Sequence, residues 1–247
     1  MRYPCKNSSY ALINYFFVCW TVLSTHFCLG QTPQDYEKAY PEEYQDALNY
    51  LKENRPQIQN TLRGFQTDPN ALIAVVFPEI VRFSGVQNLV ETASLELLYV
   101  RYGQGYADFS IGRFQMKPSF AEKAEEYLTQ NSLESIYPQI TYKSPDAKEI
   151  RKERIQRLKT LSWQLIYLAI FERIVQHKFA IPWNNLQHKI TFLAAAYNHG
   201  FTHTQKEIES WIGKKAFPYG PAYKGTQYAY TEIAYDVYLR HLPNILR

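Results

Sequence analysis

The chain has 247 residues, 46% of them apolar and 20% charged, a make-up that excludes a disordered or low-complexity protein and leaves room for one large domain or two small ones. Its formal net charge of +4 is too small to point to nucleic acid. Aromatics reach 16%, with 21 tyrosines. Tyrosine suits a surface that is apolar on one side and wet on the other, a need shared by sugar-binding sites and helical cores.

At the N-terminus, Arg2 and Lys6 precede an apolar run over 11–29, and Cys28-Leu29-Gly30 forms a small-x-small exit before Gln31. A positive start, an apolar middle and a small-residue exit predict a secretory signal peptide over 1–30, and so an exported chain, periplasmic or secreted. Asn14, Thr21, Ser24, Thr25 and His26 interrupt the run, which makes it weak as a span, and no stable membrane span is expected after cleavage. Cys5, Cys19 and Cys28 all lie in this leader. The mature chain would then hold no disulfide, thiol nucleophile or cysteine-based metal site. Loss of Arg2 and Lys6 would lower the net charge by two.

Beyond Gln31 the pattern is helical. Residues 33–60 are polar, with Tyr44, Leu48 and Leu51 spaced as one buried stripe. Asp68-Pro69-Asn70 is a start signal for an apolar helix over 71–83, in which Pro78 predicts a kink or an end because it lacks the backbone donor. A second helix is predicted over 87–102, then a Gly-rich loop at 103–108, the segment 110–118 and a helix beginning near Ser119. Residues 132–145 read as irregular. One long helix is predicted from Asp146, charged over 148–157 and apolar over 163–174. Its basic run alternates with Asp146, Glu149 and Glu153 and reads as a solvated face. Ile181-Pro182-Trp183-Asn184 ends it. An apolar helix over 185–197 closes at Asn198-His199-Gly200, and helices over 205–213 and 226–242 flank a Pro/Gly-rich linker at 217–225. No strand pattern is sustained. The expectation is a mainly α fold, with a helical extension over 31–66 and a helical domain over 67–247.

Three segments carry a chemical pattern. Ile73-Ala74-Val75-Val76-Phe77-Pro78-Glu79 delivers one acid on an apolar helix. Gly112-Arg113-Phe114-Gln115-Met116-Lys117-Pro118 has the spacing G-x-x-Q-x-x-P. Ala195-Ala196-Tyr197-Asn198-His199-Gly200 reads A-A-Y-N-x-G. In this order, over residues 71–242, they resemble the soluble lytic transglycosylases of the lysozyme-like superfamily. The chain departs from that family's pattern in having Ile80 rather than Ser after the acid, Pro78 before it, and about thirty residues between Glu79 and Gly112.

The resemblance implies a lysozyme-like helical domain acting on peptidoglycan glycan strands. Glu79 would protonate the bond between N-acetylmuramic acid and N-acetylglucosamine, then as carboxylate take the proton from the C6 hydroxyl that attacks C1, giving a 1,6-anhydro ring with no metal or cofactor. It also implies that Gln115 and Met116 face the substrate, that Tyr197 and Asn198 bring a helix end to the acid, and that Ser110 lines the cleft. Tyr230, with Thr226 and Tyr228, loosely echoes the family's late Tyr/Thr motif. The residues themselves support an unusual Glu79. Apolar neighbours on both sides place its carboxyl near apolar surface, and desolvation favours the protonated form a general acid needs.

Two other readings stay open. Asp108, four residues before Gly112, could serve as a second carboxylate in a goose-type-like hydrolytic lysozyme. The chain could instead be a non-catalytic peptidoglycan-binding module of an envelope machine. The extension either docks an envelope protein partner or completes the core. His177, His188, His199 and His203 read as surface residues, since Gly200 interrupts the only helical His pair and no acid motif accompanies it.

Overall fold

The computed structural model describes residues 32–84 and 89–246, so the leader predicted over 1–30, with its three cysteines, lies outside the described residues. Gln31–Arg247 forms one compact unit. Among the described residues there are twelve α-helices and one two-stranded sheet, a mainly α fold. None of these helices is long and apolar enough to cross a membrane.

The extension is three helices, α1 (Pro33–Ala39), α2 (Pro41–Glu53) and α3 (Arg55–Gly64). Each carries proline in its first turn, where the missing backbone donor has no helical partner to lose. Thr32 and Asp35 add a capping box ahead of α1. Tyr44, Leu48 and Leu51 are buried as their spacing predicts, and Tyr36, Ile58 and Leu62 join them in the core that holds α4.

Helix α4 (Pro69–Ser84) is the axis of the fold. Asp68 caps it by accepting from the Asn70 backbone N–H at 2.9 Å. Its residues from 71 to 81 are buried on every face, because α2, α9 and α11 pack around it. Each fully buried Leu, Ile, Val or Phe there contributes about 1.5–3 kcal/mol. Of the two outcomes expected from its missing donor, a kink or an end, Pro78 does not produce an end, since α4 runs on to Ser84. Enclosure by neighbouring helices holds the chain in register, and the buried Tyr230 hydroxyl donates to the Val75 carbonyl at 2.8 Å, giving a partner to the turn that proline weakens.

Helix α5 (Leu89–Tyr102) packs against α7, and α6 (Pro118–Gln130) against α8. Two short 3-10 turns, Glu134–Ile136 and Pro138–Ile140, occupy the segment that read as irregular. The long helix expected from Asp146 is two, α7 (Ala147–Leu158) and α8 (Leu161–Phe179). The chain turns extended at Thr160, and side chains take the carbonyls this releases: Thr160 Oγ1 bonds the Arg157 carbonyl and Gln164 Nε2 the Leu158 carbonyl. The basic run on α7 is not simply a solvated face either. Arg154 and Arg157 are buried. Arg154 binds Glu122, Glu125 and the Tyr99 hydroxyl, while Arg157 donates to the Ile140 and Thr141 carbonyls and lies over Trp163. Both are buried because acids or carbonyls from other elements meet them.

Helix α9 (Leu186–His199) ends at Gly200, whose φ of 120° is a conformation L side chains rarely adopt. Helix α10 (Gln205–Glu209) stops short of the predicted 213. Strand β1 (Lys215–Phe217) pairs antiparallel with β2 (Tyr228–Ala229), and α11 (Tyr230–Arg240) and α12 (Leu242–Ile245) complete the chain. Residues 226–229 are therefore not helical. Strands of three and two residues are too short for an alternating pattern to register.

Candidate functional site

The second and third motifs meet at Glu79. A cleft of about 350 Å³ is lined by Glu79 and Arg82 from α4, by the segment from Asp108 to Phe120, and by the end of α9 from Tyr197 onward. Glu79, Ser110, Gln115, Met116, Tyr197, Asn198 and Asp108 all line it; Tyr230 does not.

Glu79 is 7% exposed. Burial pushes its carboxyl above the ordinary glutamate value, and this outweighs the opposing pull of Arg82 and Lys117. Arg82 Nη1 lies 3.3 Å from Glu79 Oε2, one helical turn along α4. The side chain of Arg82 remains one-third exposed, so the charge facing Glu79 is partly shared with solvent. A protonated Glu79 can donate to an oxygen in the cleft and accept the proton back.

The loop that faces Glu79 is a tight turn. Ile111 and Met116 exchange two backbone hydrogen bonds, of 2.9 and 3.1 Å, across Gly112 and Gln115, which both have positive φ. Gln115 Nε2 bonds the Gly112 carbonyl at 2.9 Å, so its amide stiffens the turn from within. Met116 is almost wholly buried and forms the base of the turn while bordering the cleft. Behind the turn stands Gln164 of α8, 1% exposed, which accepts from the Phe114 N–H at 3.2 Å and donates to the Ile111 carbonyl at 3.1 Å. A Cβ on Gly112 would meet the Gln164 amide, which explains glycine there.

Tyr197 does not hydrogen-bond to Glu79. Its hydroxyl donates to the Phe114 carbonyl at 2.7 Å, tying the end of α9 to the turn. Its ring packs against Phe120 and Phe171. Burial, and then the charge of Glu79, hold the hydroxyls of Tyr197 and Tyr230 well above the usual tyrosine value, so both stay neutral donors. Tyr230 acts behind the acid, through Val75. Asp108 lines the cleft but caps α6: its oxygens accept from the Ser119 N–H at 3.1 Å and hydroxyl at 2.8 Å, and Lys117 Nζ lies 3.7 Å away.

His199 is not a plain surface residue. It is half-buried at the cleft, stacked between His203 and Trp211 with ring centres 4.1 and 4.2 Å apart. Among the described residues, no group of three His, Cys, Asp or Glu side chains is placed to hold a metal ion.

Sequence reasoning missed Arg82, Lys117, Lys123 and Gln164. The i, i+3 spacing of Arg82 from Glu79 was a readable signal. Nothing local marks Gln164, which lies about fifty residues from the turn it holds. No protein-family profile, curated protein or solved structure matches the chain.

Proposed function

We propose that this chain cleaves peptidoglycan glycan strands as a lytic transglycosylase, with Glu79 as its single acid and then base. The observation that carries the reading is the setting of Glu79: a buried carboxyl, inclined to hold its proton, opening on a cleft where two distant motifs converge. In this mechanism Glu79 gives its proton to the glycosidic oxygen as the C1–O bond breaks. The substrate's N-acetyl group carries the developing positive charge at C1. The Glu79 carboxylate then takes the C6 hydroxyl proton as that oxygen attacks C1. The ring closes, the proton is back on Glu79, and no water is consumed. Three cations, Arg82, Lys117 and Lys123, line the cleft beside two acids, a balance that suits strands bearing acidic stem peptides.

The hydrolytic alternative needs a free second carboxylate, and Asp108 is engaged by Ser119 and Lys117. A non-catalytic wall-binding module has one observation in its favour, the Arg82–Glu79 pair, since a guanidinium beside the acid favours its carboxylate. Mass spectrometry of sacculi digested with wild type and with Glu79→Gln separates the three. Anhydro ends that vanish in the variant support the proposal, reducing ends favour hydrolysis, and binding without products from either protein favours the module.

A further inference from the structure

Next to the cleft lies a second, smaller notch of about 70 Å³, lined by Tyr36, Tyr40 and Glu43 of the extension, Val81 and Arg82 of α4, and Pro218 and Tyr219 after β1. Arg82 borders both the notch and the cleft, so the two are neighbours across one side chain. The notch is built chiefly from aromatic rings. Tyr36 and Tyr40 pack with ring centres 5.0 Å apart, and Tyr36 meets Phe217 and Tyr228 at 5.8 and 5.0 Å, which fixes the floor. Tyr219 lines the notch and is 58% exposed, and Tyr223, 45% exposed, packs against it with ring centres 4.7 Å apart. Burial, and then the neighbouring Tyr219, Tyr228 and Tyr223, hold the Tyr40 hydroxyl above the ordinary tyrosine value, so it stays a neutral donor. Arg82 spends a terminal nitrogen on Glu79, while its buried Nε makes no hydrogen bond within the protein.

Exposed rings on a rigid floor, beside a planar donor and a carboxylate, match the chemistry of a pyranose. Its C–H face covers an aromatic ring, whose face is electron-rich, while its hydroxyl and acetamide groups need paired donors and acceptors at the edge. We infer that this notch is an extra saccharide subsite, in which Tyr219 stacks under one ring of the glycan strand while Arg82 and Glu43 bind its polar edge. The inference rests on the glycan reading above and adds to it. The extension would then select long strands, and the 217–225 loop would be part of the binding surface rather than a linker.

Size-fractionated glycan strands freed of stem peptide, from disaccharide to octasaccharide, are titrated calorimetrically into the chain carrying Glu79→Gln, so that nothing is cleaved. Affinity is expected to rise with length. Adding Tyr219→Ala should remove the gain at the longer lengths, a loss of about fivefold, while leaving the shortest strands that bind unaffected. Tyr219→Phe should keep the gain, because the ring and not the hydroxyl carries it. Retention of the full length dependence in both Tyr219→Ala and Tyr219→Ala/Tyr223→Ala would overturn the subsite and leave the cleft reading standing. Failure of every length to bind the parent protein would overturn both.

Discussion

Gly112 and Gln164 fit together so closely that a Cβ added to Gly112 would stand 1.6 Å from the Gln164 Nε2. The Leu158 carbonyl, 2.8 Å from the same point, blocks a backbone retreat. Gly112 also has a φ of +67°, which strains any L side chain. Gly112→Ala should therefore cost about 2–4 kcal/mol, combining strain with displacement of a buried amide that makes three hydrogen bonds. Urea unfolding of the variant beside wild type checks this. A loss below about 0.5 kcal/mol would mean that the turn yields without disturbing Gln164.

This pair also shows what was legible in the sequence. The helical pattern, the Tyr44/Leu48/Leu51 stripe and the helix ends at Asp68 and Gly200 follow from local chemistry, because caps and periodicity act within a few residues. The three motifs could be read as short strings. Their convergence depends on Gln164 and Tyr197, whose partners lie 50 and 83 residues away in sequence. The burial of Arg154 and Arg157 was illegible for the same reason, since the acids that bind Arg154 come from α6, its hydroxyl partner Tyr99 from α5, and a carbonyl that binds Arg157 from the second 3-10 turn. Pro78 does not end α4 because the rule for proline concerns a helix without neighbours, and α4 is enclosed.

Glu79 should leave a signature in stability that does not depend on activity. Its folded carboxyl titrates above the ordinary 4.5. As pH rises, the unfolded chain loses this proton first, and folding then holds a proton that unfolding releases. Any stability Glu79 lends in protonated form is thus fully present below about 4.5 and is lost as pH climbs through the folded value. Glu79→Gln keeps the neutral shape without this loss. The difference in melting temperature, variant minus wild type, should grow as pH rises above about 4.5 and level only once pH has passed the folded value. A difference that is flat, or that shrinks with pH, would show the carboxylate to be the favoured form in the fold.

Arg82 opposes the burial of Glu79 by favouring the carboxylate. Removing that charge with Arg82→Gln should raise the Glu79 pKa further. Under the proposed mechanism the protonated acid starts the reaction, so activity falls as pH rises through this value. The alkaline limb of kcat/KM should move to higher pH in the variant, even if the rate at the optimum drops through lost binding. The limb position is the quantity to measure. A shift to lower pH would contradict the assigned role of the pair.

Arg154 tests how α7 is held. The helix presents few apolar side chains, with only Ile155 and Leu158 among its buried hydrophobics, and Arg154 ties it to α6 through Glu122 and Glu125 and to α5 through Tyr99. Glu125 also receives the hydroxyls of Tyr142 and Tyr167, so its oxygens are surrounded by donors. Arg154→Ala would leave two partly buried carboxylates facing each other without their shared cation, and breaking such a pair costs about 3–5 kcal/mol. Lys152→Ala is the matched control, since its contact with Glu149 is 3.8 Å long and solvent-exposed, worth at most about 1 kcal/mol. If denaturant midpoints fall equally for both variants, α7 is held by Ile155, Leu158 and its other arginines without the help of Arg154. If Arg154→Ala falls well below Lys152→Ala, the buried cation is what fixes α7 against α5 and α6.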